Sequence, residues 1–124
     1  MQTATKTKTL TMVQAITDGL DVMLTENENV LLMGEDIGVN GGVFRATDGL
    51  QAKHGAEKVM DTPLSEAGFL GAAIGMAANG FRPIVEIQFL GFIYPAYEQI
   101  MTHASRLRAR TMGHYSAPIV IRAP

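Results

Sequence analysis

Four short strand-like runs separated by helical patterns set the limits on what this chain can fold into. The runs are residues 30–33, 59–61, 83–87 and 119–121, each the length of a buried strand. Before the first, Thr11 and Gln14 form a capping-box pair, and Met12, Val13, Ile16, Leu20, Met23 and Leu24 recur at helical spacing to about residue 25. Residues 35–43 contain Gly38, Gly41 and Gly42 and read as a loop, while 46–53 read as a short helix ending near Gly55. Residues 62–65 read as a turn. Residues 66–79 form a helix of small side chains, with Gly80 as its C-terminal cap. A long helix is expected over 94–110, basic in its last turns as the helix dipole favours. Strands alternating with helices imply an α/β fold, a mostly parallel sheet with helices on both faces.

Ligands of such sheets sit beyond the carboxyl ends of the strands. Gly34-Glu35, Thr62 to Glu66 and Gln88 to Phe92 each follow a strand, so three polar segments converge on one edge. With 124 residues the chain can build one domain with a real core. A formal net charge of −2, with no interleaving of basic and aromatic residues, argues against nucleic acid. The absence of cysteine excludes a disulfide framework or thiolate metal site and fits a cytoplasmic protein. The polar N-terminus lacks the apolar core of a secretory signal, and no run is long enough to cross a membrane. Residues 1–10 read as a flexible arm and 11–124 as a partial domain. The chain stops directly after its fourth strand, which reads as a piece of a longer polypeptide.

Glu66 heads a helix, where the dipole favours a carboxylate, so capping alone accounts for it. Glu35-Asp36 lies in a glycine-rich loop, where a solvated charge is the plain reading; paired carboxylates can also split their pKa values and relay protons. Gly68, Gly71 and Gly75 share a helix face at a cost of about 1 kcal/mol each relative to alanine. Close backbone approach explains them, either within the domain or between subunits. Phe89, Phe92, Tyr94 and Tyr97 form an aromatic cluster suited to core filling or to stacking on a heteroaromatic ring. His54, His103 and His114 lack metal-ligand spacing, and residues 38–42 lack the lysine of a phosphate loop.

Taken together, these segments resemble the beta subunits of the E1 component of thiamin-diphosphate-dependent 2-oxo acid dehydrogenase complexes. The matching text is Gly34-Glu35-Asp36-Ile37-Gly38, Gly41-Gly42-Val43-Phe44-Arg45-Ala46-Thr47, Asp61-Thr62-Pro63-Leu64-Ser65-Glu66, Glu86-Ile87-Gln88-Phe89 and Ile119-Val120-Ile121-Arg122-Ala123-Pro124. Glu66, Gly71 and Gly75 also fit the glutamate-glycine pattern of pyrimidine-binding domains in thiamin-diphosphate enzymes. The resemblance implies a transketolase-like pyrimidine-binding domain, truncated, that holds the aminopyrimidine ring. A partner alpha subunit would hold the diphosphate and Mg2+. By position, a buried Glu66 would hydrogen-bond ring nitrogen N1′ and govern its proton, with Glu35 as a second acid behind it. Gln88 and Phe92 would pack around the ring. Gly68, Gly71 and Gly75 would face another subunit. Some members carry a potassium site built from backbone oxygens, for which Ala117, Ile119 and Val120 are the candidates.

The same resemblance implies an α2β2 heterotetramer with a second beta subunit, and transfer of the acyl group to the lipoyl group of an E2 acyltransferase. Pyruvate is the first substrate reading and a branched-chain 2-oxo acid the alternative. The fragment by itself is expected to be inactive. A non-catalytic truncated product that associates through its glycine helix is the rival reading.

Overall fold

The computed structural model describes residues 7–124; most of the expected N-terminal arm, residues 1–6, lies outside the described residues. Helix α1 (Met12–Glu26) opens with the expected capping box: Thr11 Oγ1 accepts from Gln14 N–H, and the Gln14 side chain accepts from Thr11 N–H. Strands β1 (Val30–Gly34), β2 (Val59–Asp61), β3 (Arg82–Glu86) and β4 (Val120–Arg122) form a parallel sheet in the order β2-β1-β3-β4. Pro83 has no N–H to give, yet it sits in a central strand. It lies one residue before β3 begins to pair with β4, at Ile84 and Val120.

Alternation along β1 explains the two-sided core. Leu31 and Met33 face helix α3 (Glu66–Ala78) and pack with Phe69, Leu70 and Ala73. Val30 and Leu32 face the other way, against Leu20 and Leu24 of α1 and Leu50 of helix α2 (Leu50–His54). A strand buried on both faces must be apolar throughout, and all five β1 residues are buried. The Asp21 carboxylate ties α1 to α2 by receiving Lys53 Nζ and His54 Nε2, each at 2.6 Å. These hydrogen bonds, that from Lys53 foremost, hold the Asp21 carboxyl below its ordinary range.

Two expectations need correction. The helix expected over 46–53 starts only at Leu50, because Gly49 is left-handed (φ +76°) and residues 43–49 turn instead. The long helix expected over 94–110 is not one regular helix. It runs as a 3₁₀ turn (Leu90–Ile93), α4 (Tyr94–Glu98), a π-helical stretch (Gln99–Ala104) and α5 (Leu107–Arg110). Helix α3 ends as its sequence dictates. Gly80 takes φ +99°, Gly80 N–H reaches Ala77 O and Phe81 N–H reaches Met76 O, both at 3.1 Å, which is a Schellman closure.

Candidate active site

The strand order contains a reversal. From β1 the chain moves outward to β2; after crossing back to β3 it moves outward on the opposite side to β4. In sheets of this kind the loops part at such a reversal and ligands sit in the crevice there, which in this chain is at the carboxyl ends of β1 and β3. Register places Gly34 beside both Asp61 and Glu86, so the three segments expected to converge do so. Gly34 makes the close approach possible: a Cβ there would lie 2.8 Å from the Glu86 backbone oxygen.

Glu35 follows directly on β1 at this edge and is only 8% exposed. Its Oε1 is buried without a hydrogen-bond partner among the described residues, as is Thr62 Oγ1. Burial is the main cause that pushes the Glu35 carboxyl above its ordinary range, with the nearby charges of Glu66 and Asp36 adding to it. Glu66 is half-buried in this chain at the first position of α3, and Glu35 is the deeper of the two. The N-cap side chain, Ser65, makes no capping bond. Its Oγ would lie 2.6 Å from a Cβ at position 68, so a side chain there would have to turn the Ser65 hydroxyl aside.

Asp36 adopts φ +56°, a conformation aspartate tolerates better than most residues. The bend turns its carboxylate toward Gln88 Nε2 at 3.4 Å and Asn40 Nδ2 at 3.2 Å. Gln88 is thus steered from a loop 52 residues away. Phe92 is half exposed and meets Phe89 edge-on at 5.6 Å; Phe89 meets Phe44 in the same manner at 5.6 Å. Phe44 was not anticipated as a member of this ridge, and Tyr94 and Tyr97 are largely exposed beyond it.

The glycine loop is fastened from below. Asp61 receives Gly38 N–H at 2.6 Å, and Thr47 Oγ1 donates to Ile37 O at 2.7 Å. On the sheet face opposite α3, Glu86 pairs with Arg122 beneath Gly42. Burial raises the Glu86 carboxyl and Arg122 acts against that rise. Sequence reading missed this pair, since neither partner carries a local signal for it.

Of the glycine stripe, Gly71 packs against Gln99, while Gly68 and Gly75 are exposed and Gly75 has open space where a side chain would be. His103 lies 3.7 Å from Glu98, an exposed pair. Ala117 O accepts from Ile119 N–H at 2.8 Å, and Val120 begins β4. Among the described residues, no helix is long and apolar enough to cross a membrane.

The fold is a parallel α/β sheet with two carboxylates, Glu35 and Glu66, close enough at its switch point to act on each other's charge. The chain belongs to the family described as transketolase, pyrimidine binding domain, whose model matches residues 8–124. It is 52% identical over 115 residues to the pyruvate dehydrogenase E1 component subunit beta of Bacillus subtilis (strain 168), covering 93% of this chain and 35% of that protein. It is 48% identical over 115 residues to the 2-oxoisovalerate dehydrogenase subunit beta of Pseudomonas aeruginosa, covering 93% of this chain and 33% of that protein. The pyruvate dehydrogenase E1 component subunit beta of Staphylococcus aureus (strain Mu50) is 50% identical over the same share of this chain and 35% of its own. The chain therefore spans about a third of the length of the curated relatives it matches.

Proposed function

We propose that this chain is the aminopyrimidine-holding part of a 2-oxo acid dehydrogenase E1 beta subunit, with pyruvate as substrate. The observation that carries the reading is the pair of carboxylates at the switch point, Glu35 buried and unpartnered, Glu66 at the mouth of the crevice. Thiamin diphosphate fits this donor set. Its aminopyrimidine is planar and offers both ring nitrogens and N–H groups, and the crevice offers carboxylate oxygens beside an aromatic ridge. When bound, that cofactor supplies the electron sink that lets a 2-oxo acid lose CO2.

The chain's own residues hold, orient and protonate. Glu66 takes the hydrogen bond at ring nitrogen N1′ and controls the proton there. Glu35, with its raised proton affinity, stands behind it as a second acid. Asp36 fixes Gln88 against the ring edge, and Phe92, backed by Phe89 and Phe44, shields one side from water. The diphosphate and Mg2+ fall to an alpha subunit, and the exposed Gly68 and Gly75, with Gly71 between them, offer a face to a second beta subunit in an α2β2 assembly. The acyl product passes to the lipoyl group of an E2 acyltransferase in the cytoplasm. Ala117, Ile119 and Val120 offer backbone oxygens to a potassium ion.

The test is decarboxylation of pyruvate and of a branched 2-oxo acid, side by side, by the intact beta subunit reconstituted with its alpha subunit. Faster turnover of pyruvate supports the reading. Preference for the branched acid reassigns the substrate, and inactivity toward both rejects the function.

A further inference from the structure

Glu35 Oε1 and Thr62 Oγ1 are both buried and unpartnered among the described residues, and they lie at the ends of adjacent strands. We propose that the Glu35 carboxyl and the Thr62 hydroxyl jointly hold one buried water molecule, which makes Thr62 a positioning residue for Glu35. Gly34 pairs with Asp61, and Thr62 N–H donates to Gly34 O at 3.0 Å, so the ladder continues one step past β2. Met33 and Met60 pack on the α3 side of the sheet. Glu35 and Thr62 follow the Gly34–Asp61 pair directly, which makes them the next residues across this step of the sheet.

Two buried polar atoms so placed, and not bonded to each other, cost free energy unless a third group meets both. Water is the smallest group that donates to a carboxylate while accepting from a hydroxyl. The surrounding charges leave that role to a neutral donor. Glu66 on α3 and Asp36 on the adjoining loop are both acidic. Asp61 is turned to the opposite face, where it receives Gly38 N–H, and Arg122 is engaged by Glu86 on that face as well. No described lysine, arginine or histidine bonds Glu35. The catalytic consequence rests on the proposed function; the water site does not.

The experiment is a structure of the intact alpha–beta complex fine enough to show ordered water, for wild type, Thr62→Ser and Thr62→Val. It is joined to infrared titration of the Glu35 carboxyl band, assigned by its loss in Glu35→Gln. One water bridging Glu35 and residue 62 is expected in wild type and Thr62→Ser and not in Thr62→Val. Losing a donor to the ionised form should raise the Glu35 titration by about half to one pH unit in Thr62→Val and leave Thr62→Ser near wild type. A direct Thr62–Glu35 hydrogen bond, a cofactor atom on both groups, no bridging water in wild type, or an unshifted titration in Thr62→Val would overturn the proposal. A bridging water in a complex that turns over no 2-oxo acid would instead reject the proposed function and leave this site standing.

Discussion

Replacing Gly34 by alanine should force apart the two strands whose ends carry the candidate site. The new Cβ would stand 2.8 Å from the Glu86 backbone oxygen, 3.1 Å from Glu86 Cβ and 3.1 Å from Ile37 Cγ2. Ile37 can change rotamer, but a backbone oxygen in a paired strand cannot. Relief therefore requires β1 and β3 to part by roughly half an ångström, since ordinary contact begins near 3.4 Å. Overpacking of this kind costs about 1–3 kcal/mol. The hydrogen bond from Thr62 N–H to Gly34 O stands to lose about 1 kcal/mol more. The expected loss is about 2–4 kcal/mol, which lowers the urea midpoint in proportion. Equilibrium urea unfolding of the intact subunit, followed by circular dichroism, reads it directly. Cofactor affinity should fall as well, because Glu35 and the Asp36–Gln88 contact straddle the same gap. A Gly34→Ala protein within about 0.5 kcal/mol of wild type would refute the close approach of β1 and β3.

Gly75→Ala gives the opposite test, since nothing lies within 4 Å of its added methyl. Helix propensity alone should stabilise the subunit by up to about 1 kcal/mol, while sedimentation should show weakened assembly if that face meets another subunit. Glu35 binds its proton more tightly folded than unfolded, so the folded state gains stability from it at low pH. That contribution is lost as pH rises from the ordinary glutamate range through the raised value; Glu35→Gln should abolish the dependence and be the more stable protein above it, as thermal unfolding across pH would show. Arg122→Met strands Glu86, which is 3% exposed, and should cost about 3–5 kcal/mol near neutral pH. Adding Glu86→Gln should recover much of that loss in the same unfolding assay.

What was legible in the sequence was whatever local chemistry decides. Thr11 and Gln14 announced a helix start, Gly80 a helix end, and the apolar run before Gly34 a buried strand. Convergence of Glu35, Glu66 and Gln88 followed from strand order, which a parallel α/β pattern constrains tightly. The interrupted helix after Leu90 was not legible, because its Pro95, small residues and π-helical stretch answer to packing against α3 rather than to periodicity. Phe44, Arg122 and the steering of Gln88 by Asp36 depend on partners 36 to 52 residues away. No local pattern encodes such contacts. The depth of Glu35 relative to Glu66 is likewise a property of the assembled crevice, since both residues look equally polar in sequence.

The central claim is that Glu66 controls a proton on the aminopyrimidine. The most direct measurement is the rate of hydrogen–deuterium exchange at C2 of thiamin diphosphate bound to the intact alpha–beta complex, for wild type and Glu66→Gln. The account predicts a fall of about 100-fold or more in the variant while assembly and cofactor binding persist. Exchange at the wild-type rate, with only the loss of about 0.3–1 kcal/mol expected for a carboxylate at a helix start, would contradict it.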